Sequence, residues 1–450
     1  MTTPTMPIRW AQTYVTVART DSLVRNSLFM MMSTIATAAF GYVFWIVAVR
    51  VFDSAEVGIA SAVISLCSTV ALLTYLGPAA MLVERLHAYE RSRAWTAFLA
   101  RMSAATAAAT AVLAAVTIPV IAHSKSYGSF FGPVGTAVLA VVGATAWTLV
   151  NMYGTAFIAA RRADGLLAVQ VICSLLKILL LVPLYAAGLG APGIVVAWAA
   201  SSVLGVAVGA FWLLPRLGLG KPARRRRRRA PVRRAQGRRS YTPQRRLRRG
   251  DYLWHLVGQH LTSVGGQMTP LILPVLVVLR LGAGPNGYFY ITWMVGSVFF
   301  MVSPSISFAL FAESVRTSPG MRATVVKAFR VTSLLLLPAM LIVAAGGRLI
   351  LDIFGRDYAR AGYGLLILLA ISAAPDAVSN VAVAVCRATN RLGYSAAINL
   401  GILGCTVVSA WYLMPRYGLL GVGIGWLAAQ VLGAFASIPV FFHLGGGAAA

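Results

Sequence analysis

Twelve times between residues 28 and 442 the chain runs through a long apolar stretch bounded by Gly, Pro or charge. Each stretch meets the roughly 20 residues that an α-helix needs to cross the ~30 Å hydrocarbon core of a bilayer. Inside that core no water is available to backbone N–H and C=O groups, so only a helix or a closed β-barrel satisfies them. The stretches lack the period-two alternation of barrel strands, and the chain therefore reads as an all-α polytopic membrane protein. Composition supports this, with 59% hydrophobic and 11% charged residues and a mean hydropathy of +0.78. A soluble chain of 450 residues has no core large enough to hide so much apolar surface.

The spans fall at about 28–49, 58–77, 95–121, 133–159, 166–187 and 192–214, then at about 252–279, 287–311, 325–346, 362–385, 394–413 and 420–442. Positive charge orients them. With the N-terminus in the cytoplasm, cytoplasmic segments hold 30 Lys and Arg and the opposite side 7; without the richest segment the ratio is still 14 to 7. That segment, from Pro215 to Asp251, contains 16 of the 39 basic residues and accounts for most of the net charge of +28. The expected organisation is a cytoplasmic N-terminus at 1–27, a first lobe at 28–214, a basic linker at 215–251, a second lobe at 252–443 and a cytoplasmic tail at 444–450. The polar N-terminus has no secretory h-region or small-residue cleavage site, so the first span is expected to stay in the mature chain.

The two halves resemble each other. At an offset of 228 residues, Gly190, Gly193, Trp198, Ala200, Val203, Leu204 and Gly205 recur as Gly418, Gly421, Trp426, Ala428, Val431, Leu432 and Gly433. Gly58/Gly287 and Arg50/Arg280 drift from that offset by one and two residues. Six spans per half make the repeat parallel, which predicts two six-helix lobes around a central cavity.

With these features the sequence resembles the multidrug/oligosaccharidyl-lipid/polysaccharide exporter (MOP) superfamily, and within it the polysaccharide and O-antigen flippase branch. The resemblance runs from Asn26 to about His443. Its local signatures are Asn26 opening the first span, the stretch Ala48-Val-Arg-Val-Phe-Asp-Ser-Ala-Glu-Val-Gly58 after it, Leu76-Gly77 ending the second, and Tyr417-Gly-Leu-Leu-Gly421 before the twelfth. It implies alternating access of two lobes around a hydrated cavity lined mainly by the first and seventh spans, with lipid-linked glycans as substrates. The long Arg-rich linker departs from the family's shorter, less basic connection.

The seventh span is the least lipid-like, carrying Asp251, His255, Gln259, Thr262, Ser263, Gly266 and Thr269 along one helical face. Such a stripe faces protein or water rather than lipid; it serves either as a cavity wall that bonds sugar hydroxyls or as polar glue between helices. A weaker stripe in the first span comprises Asn26, Ser33 and Thr37. Asp376 is the carboxylate placed deepest in a span, and Lys177 and Arg101 are the cations within spans. Ionisable groups at that depth cost several kcal/mol unless paired or hydrated, which makes them functional candidates. Asp376 is the candidate for proton coupling; Lys177 and Arg101 are candidates for a substrate phosphate, or else a structural pair or snorkelling chains. Arg50 and Arg280, at equivalent span ends, suit either a phosphate or an interfacial anchor. Asp53 and Glu56 read as plain loop residues.

The segment Lys221 to Gly250 of the linker, with the unbroken run Arg224 to Arg229 and further arginines up to Arg249, is expected to be disordered. Facing an anionic leaflet it predicts electrostatic attachment worth about 1 kcal/mol per basic residue near the surface; the plainer reading is a topology determinant. Nucleic-acid binding does not suit it, because only Tyr241 interleaves with the arginines. No metal or cofactor is expected: His255 and His260 lie about 140° apart on a helix, the cysteines Cys67, Cys173, Cys386 and Cys405 lack ligand spacing, and no Walker lysine motif or catalytic triad is present. The leading expectation is thus a non-enzymatic flippase for a lipid-linked oligosaccharide at the cytoplasmic membrane, with glycan-assembly enzymes as partners. The alternatives are a cation-coupled multidrug exporter, which a first span without a carboxylate disfavours, and a membrane glycosyltransferase, which would need an acidic outer loop. Reporter fusions at the C-terminus and in the linker should face the cytoplasm and one after Arg50 the other side. Replacing the linker arginines by glutamine should leave that pattern intact, because the remaining bias still favours it.

Overall fold

The computed structural model describes residues 22–85, 93–160, 162–213, 249–317 and 321–442. Most of the basic linker and the C-terminal tail therefore lie outside the described residues. Twelve helices are long and apolar enough to cross a membrane. They are α1 (Ser22–Val51), α2 (Ser54–Arg85), α3 (Arg93–Ala122), α4 (Val134–Ala159), α5 (Ala163–Ala186) and α6 (Gly190–Ala207), which runs on into a π-helical turn, Val208–Leu213. The second half supplies α7 (Arg249–Leu281), α8 (Ala283–Thr317), α9 (Met321–Asp352), α10 (Arg356–Ala388), α11 (Leu392–Tyr417) and α12 (Leu419–Phe442). Most helices outrun the apolar stretch by a turn or more, because nothing in the flanking sequence stops them. A seven-residue helix, Lys125–Phe131, was not legible in the sequence; it forms most of the α3–α4 connection and buries Tyr127, Phe130 and Phe131.

Local chemistry sets the turns. Asp53 and Glu56 form a reciprocal capping box at the start of α2: Glu56 N–H donates to Asp53 Oδ1 at 2.8 Å and Asp53 N–H to Glu56 Oε2 at 3.1 Å. The repeat-matched glycines Gly190 and Gly418 both take left-handed backbone, with φ of 53° and 55°. A residue with a Cβ is strained in that conformation, which explains why the α5–α6 and α11–α12 turns share this letter.

Each half packs its helices in the same pattern. α1 lies on α5, α2 on α4, α3 on α4, and α6 on both α4 and α5; α7 lies on α11, α8 on α10, α9 on α10, and α12 on both α10 and α11. The matched residues carry this symmetry. A Cβ on Gly205 would meet Cys173 and Val150, and one on Gly433 would meet Ile402 and Ser379, the equivalent surfaces within a residue of register.

The lobes join chiefly through α2, which packs on both α7 and α8. One hydrophobic core spans both lobes, running from Phe44, Trp45 and Ile64 to Ile291, Leu351 and Leu366. Elsewhere each lobe keeps its own core, around Leu82, Trp95 and Phe157 in the first and around Leu273, Val381 and Ile398 in the second. The fused end carries the α1–α2 and α7–α8 turns. Tyr42 OH donates to Met294 O at 3.1 Å, and Arg50 Nη2 donates to Ile353 O at 2.8 Å. Trp45 and Tyr290 pack with ring centroids 4.7 Å apart.

At the centre of this seal the α2 and α8 backbones touch through their glycines. A Cβ on Gly58 would collide with Ala283 O, and a Cβ on Gly287 with Ser54 O. Ser54 and Ala283 stand four residues before Gly58 and Gly287, so the contact is reciprocal, like one across a two-fold axis. Asn286 locks it by donating to Gly58 O at 2.7 Å and to Ser61 Oγ at 3.1 Å. Gly58→Ala and Gly287→Ala should each lower the thermal midpoint in detergent, by about 1–3 kcal/mol of overpacking. Gly77→Ala, with open space around its Cβ position, should leave it unchanged.

Candidate functional site

The second lobe holds a two-chambered cavity between α7, α8, α10, α11 and α12. The larger chamber, about 440 Å³, is walled by Gln267 and Pro270 of α7, Trp293 and Phe300 of α8, Asp376 and Asn380 of α10, and Trp426 of α12. The smaller, about 290 Å³, adjoins it and is lined by Thr262, Ser263, Ser307, Arg387 and Asn399. Gly266, Gln267, Pro304 and Asn380 border both, so the two chambers adjoin.

Helix periodicity puts the polar groups on that space. In α10, Asp376, Asn380 and Arg387 follow at steps of four and seven, which brings them within about 40° around the helix and spreads them over about 16 Å of its length. Asp376 is buried, at 8% exposure. Asn380 Nδ2 donates to its Oδ2 at 2.9 Å and to its main-chain carbonyl at 3.0 Å, so the amide fixes the carboxylate's orientation. No cation pairs with Asp376 among the described residues. Three rings stand opposite. Trp293 and Trp426 meet edge to face at 5.2 Å, and Phe300 packs on Trp426 at 5.2 Å and on Trp293 at 6.1 Å.

The polar stripe of α7 divides between two faces. Thr262 Oγ1 pairs with Ser395 Oγ at 2.9 Å, and Asn399 Nδ2 donates to Thr262 O at 2.8 Å, which ties α7 to α11. Gly265 lets the α11 backbone come close at Asn399 and Leu400. Thr262 also borders the smaller chamber, together with Ser263, Gly266 and Gln267, while Thr269 is buried and lines neither chamber. Gln259 is half-buried and lies outside both chambers. The side chains of Asn26 and His255 lie outside the described residues. In α1, Ser33 is buried and Thr37 half-buried, and neither borders this cavity.

The other charged candidates are dispersed. Lys177 of α5 rests its Nζ 5.2 Å from the centroid of Phe44, and Arg101 of α3 is exposed with Nε donating to Ala97 O at 3.2 Å. Both stand in the first lobe, away from Asp376. Arg280 lies 4.9 Å over the Trp411 ring, while Arg50 spans the lobes at the fused end. Gln267, Asn380, Arg387 and Asn399 were not singled out as cavity residues from the sequence; testing α10 for a polar stripe, as was done for α7, would have found two of them.

The first lobe has no matching composition. At the repeat offset, Asp376 and Asn380 correspond to Thr148 and Met152, both wholly buried. Thr148 Oγ1 donates to Ala144 O at 2.8 Å and lies 3.4 Å from Thr110 Oγ1.

No protein-family model and no curated protein matches the sequence. Solved structures match by fold. The chain is similar to the lipid II flippase MurJ in an inward closed conformation, with a TM-score of 0.63 at 12% identity over 93% of this chain and 89% of that one. It is similar to a multidrug resistance MATE family transporter of the MOP superfamily in an inward-facing conformation, with a TM-score of 0.61 at 15% identity over 95% and 100%. Against an outward-facing conformation of such a transporter the TM-score is 0.55, at 15% identity over 94% and 95%. The fold is therefore the two-lobed, twelve-helix fold of MOP superfamily transporters.

A buried carboxylate without a counter-ion is costly to the fold. Asp376→Asn keeps an oxygen for the Asn380 amide and removes the charge, so its thermal midpoint in detergent should equal or exceed that of the unsubstituted protein. A clear drop would assign Asp376 to structure.

Proposed function

We propose that the chain is a MOP-type membrane transporter, and within that class a flippase moving a lipid-linked oligosaccharide or related cell-envelope precursor across the cytoplasmic membrane. The observation that carries the reading is the polar cavity of the second lobe, set in a two-lobed fold that is sealed at one end. The lobes would open alternately to either side, with the sugar head in the cavity and the lipid tail in the bilayer. Asp376 is the proton-coupling candidate: it is buried, oriented by Asn380 and without a counter-ion among the described residues. Amide and hydroxyl groups from Gln267, Asn380, Ser263 and Asn399 supply the paired donors and acceptors that sugar hydroxyls need.

Both termini and the basic linker would be cytoplasmic. Residues 224–249 would contact the anionic leaflet, and enzymes of glycan assembly would be the protein partners. One observation favours an exporter of organic cations instead: aromatic faces opposite a carboxylate also suit a lipophilic cation.

In proteoliposomes, the purified protein should translocate a fluorescent lipid-linked oligosaccharide, and Asp376→Asn should slow this about tenfold or more. Its depletion in cells should accumulate that lipid on the cytoplasmic leaflet. Uptake of tetraphenylphosphonium without glycan translocation would reverse the choice between the two readings.

A further inference from the structure

A separate space of about 510 Å³ lies between the lobes, beside the Arg50 bond that joins them. Arg50 and Asp53 wall it from the α1–α2 turn; Tyr288 of α8 and Asp352, Asp357 and Tyr358 around the α9–α10 turn wall it from the second lobe. Three carboxylates there face two guanidiniums, Arg50 and Arg356, and among the described residues no ion pair joins any of them. Arg50 is held on the Ile353 carbonyl instead. Asp53 and Asp357 have a local reason to be acidic, since each stands at the N-terminal end of a helix. Asp352 has none, because it ends α9, where the macrodipole disfavours a carboxylate. Tyr358 adds an independent sign. Its side chain is 6% exposed, its ring packs edge to face on Tyr288 at 5.0 Å, and its hydroxyl is buried with no hydrogen-bond partner. Asp53 and the Tyr288 hydroxyl are its electrostatic neighbours, so it faces the acidic side of the space.

Among the described residues no three acidic or other metal-ligating side chains converge as a metal site, so these carboxylates do not suit a point cation. Carboxylates set apart, an aromatic ring between them and a hydroxyl in want of a partner suit an extended cation with several N–H donors. We propose that this space between the lobes binds a linear polyamine. Its ammonium groups sit on Asp53, Asp352 and Asp357, its chain runs along the Tyr288 ring, and one N–H donates to the Tyr358 hydroxyl. Asp53 belongs to the first lobe and the other groups to the second, so the ligand binds best where the lobes meet as they do here. A ligand that binds one of two states better holds the protein in that state. The polyamine thus keeps this end closed and slows the transport cycle. The site stands without the transport reading; only the slowing rests on it.

The test is calorimetric titration of spermidine into the full-length protein in phosphatidylcholine nanodiscs, with empty nanodiscs subtracted. Binding should saturate, and magnesium ions at constant ionic strength should not displace it. Asp53→Asn, which keeps a capping residue on α2, and Asp352→Asn should each weaken binding about threefold and together about tenfold, the scale of exposed charge pairs. Tyr358→Phe keeps the ring and should weaken binding too, each variant retaining the thermal midpoint. Asp376→Asn should leave binding unaltered. Loss of binding in Asp376→Asn would put the polyamine in the second-lobe cavity and overturn the proposal, as would displacement by magnesium or a titration equal to that of empty nanodiscs. Weakening by Asp352→Asn with Asp53→Asn silent would put the ligand on one lobe and overturn its hold on both. In proteoliposomes that translocate the lipid-linked oligosaccharide, spermidine on the Arg50 side should slow translocation, and the Asp53→Asn, Asp352→Asn double variant should escape this. Translocation blind to bound spermidine would overturn the hold, whereas absence of translocation without spermidine would sink the transport reading and leave the site standing.

Discussion

Everything above depends on two backbones that touch. Gly58 of α2 and Gly287 of α8 let the helices approach until each glycine faces the carbonyl of the residue four places before its counterpart. In lipid no hydrophobic force draws helices together, so association rests on close packing and on hydrogen bonds that small residues permit. The reciprocal contact, with Asn286 bonded across it, fixes the spacing of the lobes at one end. The lobes share one core around this clasp, and each also keeps a core of its own.

The same economy of small residues and repeated turns made much of the fold legible in the sequence. All twelve spans showed in hydrophobicity alone, since a bilayer leaves the backbone no choice but helix. The repeat showed because Gly190 and Gly418 need left-handed backbone, and Gly205 and Gly433 need close neighbours, in both halves. What stayed hidden was contact between elements distant in the chain. Gly58 and Gly287 could be matched as equivalents, but nothing in their letters says that they meet. Lys177 and Arg101 could be seen as cations at depth, but only packing shows that neither approaches Asp376.

The candidate site was half legible for a related reason. A polar stripe marks a face that avoids lipid, yet the same stripe can point at a helix or at a cavity. On α7 it does both: Thr262 bonds α11 at the edge of the smaller chamber, while Ser263 and Gln267 line the cavity. Hydrophobicity also hides polar residues that are few and widely spaced. α10 reads as an apolar span with one aspartate until its period is examined, and then Asn380 and Arg387 fall in line with Asp376.

Two symmetric lobes would be a poor transporter if both were filled or both empty. The first is closed by Thr148 and Met152 at the positions where the second carries Asp376 and Asn380. The polar cavity is accordingly walled almost entirely by the second lobe. Among the residues that line the larger chamber, Leu72 alone comes from the first lobe. A rotation that splits the fused end moves α2, and with it Leu72, relative to the chamber wall. A ligand shifts such an equilibrium only by binding its two states unequally. In the proposed transport cycle, the Leu72 contact would couple occupancy of the second lobe to the position of the first.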